Sequence, residues 1–199
     1  MNIVPANQLD LGQIGAYRSA LANALNIAVQ AGTNNQLFPR DLVASDFTSA
    51  GNNGVPIAKV RFNVVGPVGA AVWYKAFAGT QPQNTAIGII GYGQLAASPV
   101  LSALRFAQGP AVSGYFYALD PIYADTQVRI GYFDTPVLFL PGLPIELDVW
   151  TDEGLATSEI SEDFALMGIT VEPAGTNFNF FSIPLAVSEA LSTGSIAPV

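Results

Sequence analysis

The chain predicts an all-β fold, an antiparallel β-sandwich preceded by an N-terminal helix and an extended arm. Ten apolar segments, rich in β-branched and aromatic residues, follow one another at intervals of roughly 8–12 residues. The 19 Gly and 14 Pro fall largely between them, as turns do in sandwiches and barrels. No internal repeat is evident, which argues against a propeller or solenoid.

The elements follow in order. From Leu11 to Val29 the apolar residues Leu11, Ile14, Tyr17, Leu21, Leu25 and Ala28 recur at steps of three and four, the helical period. Asp10 stands where an N-cap is expected and Gly32 where a C-cap is expected. The opposite face offers Gln13, Asn23, Asn26 and Gln30 and almost no charge, so the helix is expected to be covered on both sides. A helix lying over one end of its own sandwich is the other reading. Residues 32–55 are rich in Gly, Asn, Ser and Thr and read as an extended connection, with a turn at Asn52, Asn53 and Gly54.

Strands are expected at Ile57 to Val65, Gly69 to Ala78, Ala86 to Tyr92, Val100 to Ala107, Ala111 to Leu119, Gln127 to Phe133, Val137 to Leu140, Ile145 to Thr151, Phe164 to Val171 and Phe178 to Val187. Val60 to Val64 alternates apolar and polar residues, the mark of a half-buried strand. Three segments, Val68 to Val72, Ile87 to Ile90 and Val137 to Leu140, are apolar on both faces and predict strands covered on each side. Pro136, Pro141 and Pro144 are expected to bound the last of these. The organisation read from this pattern is a helix and assembly arm over 1–55, a β-sandwich over 56–187 and a tail over 188–199.

Composition narrows the function. Half the residues (50%) are hydrophobic and 11% are charged, against about 25% charged in an ordinary soluble domain. Much of the surface is therefore expected to be covered by other protein, although no apolar stretch reaches the roughly 20 residues of a spanning helix. No signal peptide is visible in the first residues. The formal charge of −8 comes from only 7 Lys and Arg against 15 Asp and Glu. All the bases, Arg18, Arg40, Lys59, Arg61, Lys75, Arg105 and Arg129, precede residue 130 and form no cluster, which argues against direct contact with nucleic acid or an anionic membrane.

With no His and no Cys, a Ser-His-Asp triad, a thiol nucleophile and the commonest metal ligands are all excluded. A Ser-Lys dyad would have to recruit Lys59 or Lys75, which sit at alternating strand positions facing solvent or an interface. The acidic group Asp148, Asp152, Glu153, Glu159, Glu162 and Asp163 fits no EF-hand spacing and reads as a solvated loop between strands. Gly88, Gly91 and Gly93 lie inside a β pattern with no following Lys-Ser or Lys-Thr, so they mark a bulge or close backbone contact and not a phosphate loop. The aromatics, among them Trp73, Phe77, Tyr117, Phe133 and Trp150, concentrate in the strands as core residues and interface anchors. No catalytic, cofactor or metal site is expected.

An N-terminal helix and irregular arm followed by eight to ten strands resembles the single jelly-roll coat proteins of icosahedral viruses and phages, in element order, size and low charge. The resemblance implies a jelly-roll sandwich that self-assembles into a capsid shell and resides in the virion after assembly in the host cytoplasm. Its partners would be copies of itself, with other capsid proteins or an internal membrane beneath. The absence of a basic arm departs from coats that hold their genome directly. Leu11, Ile14, Tyr17, Leu21, Leu25, Phe38 and Phe47 are the candidate interface residues. Two other classes stay open: a phage tail-tube or decoration protein, and a carbohydrate-binding sandwich using exposed aromatics such as Trp73 or Trp150.

Overall fold

A computed structural model of the chain describes residues 2–30, 37–47, 61–108, 111–112, 116–124, 129–157 and 161–173. The helix α1 (Leu11–Gln30) begins at the predicted cap. The Asp10 carboxylate accepts the Gly12 N–H at 3.0 Å, while Gln13 accepts the Asp10 N–H at 3.2 Å, a reciprocal pair that satisfies two of the donors a helix start leaves free. The predicted C-cap, Gly32, lies outside the described residues.

The strands are β1 (Ile3–Pro5), β2 (Leu37–Asp41), β3 (Phe62–Val65), β4 (Val72–Thr80), β5 (Ala86–Gln94), β6 (Leu101–Gln108), β7 (Ala111–Val112), β8 (Tyr117–Ala118), β9 (Ile130–Phe139), β10 (Pro144–Thr151) and β11 (Ser161–Pro173), with one turn of helix, α2 (Asp120–Tyr123), before β9. They form two antiparallel sheets. Sheet 1 runs β1-β9-β5-β11-β2, with β3 also on β11, and sheet 2 runs β4-β10-β6-β7, with β8 also on β6. The pairs are nested like a folded ribbon: β3 with β11, β4 with β10, β5 with β9, and β6 with β7 and β8. Further ladders, β11 with β5 and β10 with β6, join the ribbon segments within each sheet.

The main core fills the space between the sheets, where Phe62, Phe77, Ile87, Leu104, Phe139, Leu147 and Phe164 meet. A second, smaller core lies on the outer face of sheet 1. There Leu21, Leu25 and Val29 of α1 pack on Ala86, Ile90, Ile169 and Val171. Each fully buried aliphatic side chain contributes roughly 1.5–3 kcal/mol. Every residue of β5 is buried, because α1 covers one face and sheet 2 the other. Gly88 permits this contact: a Cβ there would stand 2.6 Å from Leu21 Cδ1. That is the close approach expected of glycine in this strand.

Several expectations need correction. The described part of the expected arm, 2–30 and 37–47, joins the sandwich, since β1 and β2 are strands of sheet 1 and α1 lies on it. Neither short strand was anticipated. Val68 to Val72 is no central strand: Ala70 and Ala71 form a turn, with Ala71 at φ 55°, and Val72 opens an edge strand. The two segments expected at Gln127 to Phe133 and Val137 to Leu140 are one strand, β9, which runs through Pro136. Opposite β5 the register jumps from Val137 to Tyr132, so the ladder is already interrupted where proline has no N–H to offer. Leu138 and Leu140 are exposed, so the segment is covered on one face only. The segment expected at Phe178 to Val187, the tail and Lys59 lie outside the described residues.

Candidate interaction surfaces

The predicted interface residues divide by where the fold places them. Leu21 and Leu25 belong to the second core, under α1 and against the chain's own sheet. Phe47 is 1% exposed in the middle of the sandwich, its ring centroid 4.3 Å from Phe77 and 5.4 Å from Phe62. These three residues cannot meet a partner in this fold.

The reason for Phe47 is local. After β2 the chain makes a 3-10 turn at Ala44–Asp46 that tucks under sheet 1. Asp46 holds the turn by accepting the Val43 N–H at 2.9 Å and the Thr170 hydroxyl at 2.9 Å. Arg40 closes it, bonded to Asp46 and, at 2.9 Å through Nε, to Glu172 of β11. The remaining candidates face outward to different degrees: Leu11 is 84% exposed, Phe38 is 38% exposed, and Ile14 and Tyr17 are partly buried. Tyr17 donates to the Phe133 carbonyl at 3.3 Å.

The first surface is the outward face of α1. Gly12, Ala16, Ala20, Asn23, Ala24 and Ile27 all lie on it exposed. The face holds no ionised side chain, because Arg18, the only charged residue of the helix, turns aside to pair with Asp41. Ile27, 70% exposed, is its one large apolar residue and was not singled out in the sequence, since it falls off the three-and-four stripe. Arg18, Pro39, Arg40 and Asp41 also border an open groove between α1 and β2, where both arginines are already paired with carboxylates.

The second surface is the outward face of sheet 2, which no helix among the described residues covers. Cross-strand register sets its side chains in rows. Trp150 of β10 stands between Trp73 of β4 and Ala103 of β6, and Asp148 stands between Lys75 and Arg105. The two indoles meet edge to face with centroids 5.4 Å apart, and Phe116 lies 6.1 Å from Trp73. The Arg105 guanidinium sits 4.4 Å over the Trp73 ring, and its Nε donates to Asp148 at 3.1 Å. Lys75 pairs with Glu146 at 2.8 Å. Beside Trp150, its Nε1–H donates to Asp152 at 2.8 Å, and the Ser102 hydroxyl donates to the same carboxylate. These two donors hold the Asp152 carboxyl below its ordinary pKa, Ser102 having the larger effect.

The acidic group is only in part the solvated loop expected: Asp152 and Glu153 are exposed in the turn after β10, Glu159 lies outside the described residues, and the others are strand residues. Asp148 is a buried strand residue paired with Arg105, and Asp163 pairs with Arg61. Glu162 of β11 is buried and crosses to sheet 2, where it accepts the Val100 N–H at 2.8 Å and the Leu101 N–H at 3.1 Å, with Gln94 as a third donor. Burial pushes its carboxyl pKa up against those hydrogen bonds. A comparison of the chain with protein-family models and with curated protein sequences gives no match.

Proposed function

We propose that this chain is a single jelly-roll structural protein whose copies assemble into a viral or phage capsid shell. The observation that carries the reading is the nesting of its strand pairs. A jelly roll is a long antiparallel ribbon of eight strands rolled into two facing sheets, so that first pairs with last, second with seventh, third with sixth and fourth with fifth. Taking β3, β4, β5, β6, the β7–β8 segment, β9, β10 and β11 as the eight gives those pairings, with sheet orders β3-β11-β5-β9 and β4-β10-β6-β8. The added β1, β2 and α1 extend sheet 1 and cover its outer face.

Assembly is supported by the uncharged outward face of α1 and by the low charge of the whole chain. Small side chains let two such surfaces approach closely, and no ion must be desolvated when they meet. The shell would thus be held by many neutral contacts between copies of the chain, with other coat proteins or an internal membrane as its underlying layer.

The purified protein is expected to form oligomers or closed particles by light scattering and negative-stain electron microscopy. Ile27→Asp, which places a charge on the outward face of α1 without touching either core, should abolish them and leave a folded monomer. A stable monomer of the unsubstituted protein at high concentration would remove the assembly reading, and tubes in place of shells would transfer it to a tail component.

A further inference from the structure

We propose that the outward face of sheet 2 carries a binding site for a neutral saccharide, with Trp73, Trp150 and Phe116 as its stacking platform and Asp152 and Ser102 as its hydrogen-bonding edge. A sugar ring presents C–H groups on its faces and hydroxyls around its rim, so its site needs aromatic surface beside fixed acceptors. Here the aromatic surface is held in place before any ligand arrives. Trp150 is tethered through Nε1–H to Asp152, and Trp73 is braced by the Arg105 guanidinium over one face and by the edge contact with Trp150. Rings fixed in this way lose little freedom on binding. Phe116 remains 50% exposed at the margin of the group.

The charges decide the class of ligand. Lys75 is matched by Glu146 and Arg105 by Asp148, which leaves Asp152 as a carboxylate with no cationic partner among the described residues of this face. A phosphate, a sulfated glycan or a nucleic acid would meet net negative charge there, whereas a neutral hydroxyl donates to it. Each Asp152 oxygen accepts one bond within the protein and keeps a lone pair for a sugar hydroxyl.

The chain contains only two tryptophans, and both are in this site, so fluorescence excited selectively at tryptophan reads the site. The protein is titrated with maltohexaose, cellohexaose and chitohexaose, three neutral chains of different linkage or substituent. At least one should change the emission saturably. Asp152→Ala and Phe116→Ala retain both tryptophans and should each weaken that response tenfold or more, with circular dichroism unchanged. Silence towards all three sugars up to roughly 10 mM, some ten times the concentration that half-saturates a site of about −4 kcal/mol, would overturn the proposal. So would a response that both variants preserve, which would place the sugar elsewhere. Loss of oligomers on Phe116→Ala together with silence towards the sugars would make this face a contact between copies, and leave the assembly reading standing.

Discussion

Glu162 shows how a single side chain can tie two sheets together. It projects from β11 and accepts the backbone N–H groups of Val100 and Leu101 at the start of β6, as well as the amide of Gln94. Glu162→Ala would take the acceptor from the Val100 and Leu101 N–H groups, while the Gln94 amide keeps the Tyr92 and Tyr123 hydroxyls, a cost on the order of 3–5 kcal/mol measurable by urea denaturation. The pH dependence follows from the direction of its shift. Its folded pKa is raised by burial above the ordinary value of 4.5, so its contribution is fully present below that value and declines as pH rises through the raised folded value. The stability gap between the protein and Glu162→Ala should therefore be widest in acid and narrow on passing that window. None of this was legible in the sequence. Glu162 stands beside Asp163 in an acidic stretch, and its partners are backbone groups that carry no side-chain signature. Phe47 was hidden for a related reason, because a Gly- and Asn-rich neighbourhood gives no sign that the chain turns inward at Ala44–Asp46.

At the scale of elements, the helix was the most legible part and its seat the least. Three-and-four spacing and the Asp10 cap placed α1 to within a residue of its observed end. The same spacing cannot say whether the apolar stripe meets the chain's own sheet or another molecule's. The sheet answers that, since Ala86, Ile90, Ile169 and Val171 form the other half of the contact. Removing residues 1–31 would lay those four side chains open and take β1 from the edge of sheet 1. The truncated protein is therefore expected to aggregate or to lose its cooperative unfolding transition, as circular dichroism on heating would show. Leu25→Ala is the milder probe and should cost about 2–4 kcal/mol in a denaturant titration. The strands divide in the same way. Long apolar segments, such as β5, β6, β10 and β11, were located to within a few residues. The short β1 and β2, each containing a proline, have too few residues to show a period of two.

For the whole molecule, the low charge of the sequence acquires a location. Most of the ionised groups that the structure pairs are matched within the chain, as with Arg40, Lys75 and Arg105, and α1 turns an uncharged face outward. Association through such a face depends on apolar and close-packed contact. It should persist at roughly 1 M NaCl, where the screening length falls to about 3 Å, and analytical ultracentrifugation across a salt series checks this directly. Dissociation by salt would point instead to ion pairs between copies. The pattern of ten segments predicted the layered sandwich, but which strand pairs with which is a long-range property that periodicity does not encode.

The position of β11 has a consequence for how the molecule comes into being. The last of these strands to be synthesised lies inside sheet 1, between β5 on one side and β2 and β3 on the other. Arg40 must wait for Glu172, 132 residues later in the chain. At about 5–20 residues per second, translation takes on the order of ten seconds to cover that distance. Until then half the seat of α1 does not exist, because Ile169 and Val171 have yet to emerge from the ribosome. A nascent chain arrested after residue 160 should accordingly leave α1 open to proteolysis, while one long enough to free β11 from the exit tunnel should protect it. The outward face of the helix acquires a fixed position only once β11 has emerged, so shorter nascent chains on one messenger have no ordered helix surface with which to begin assembling.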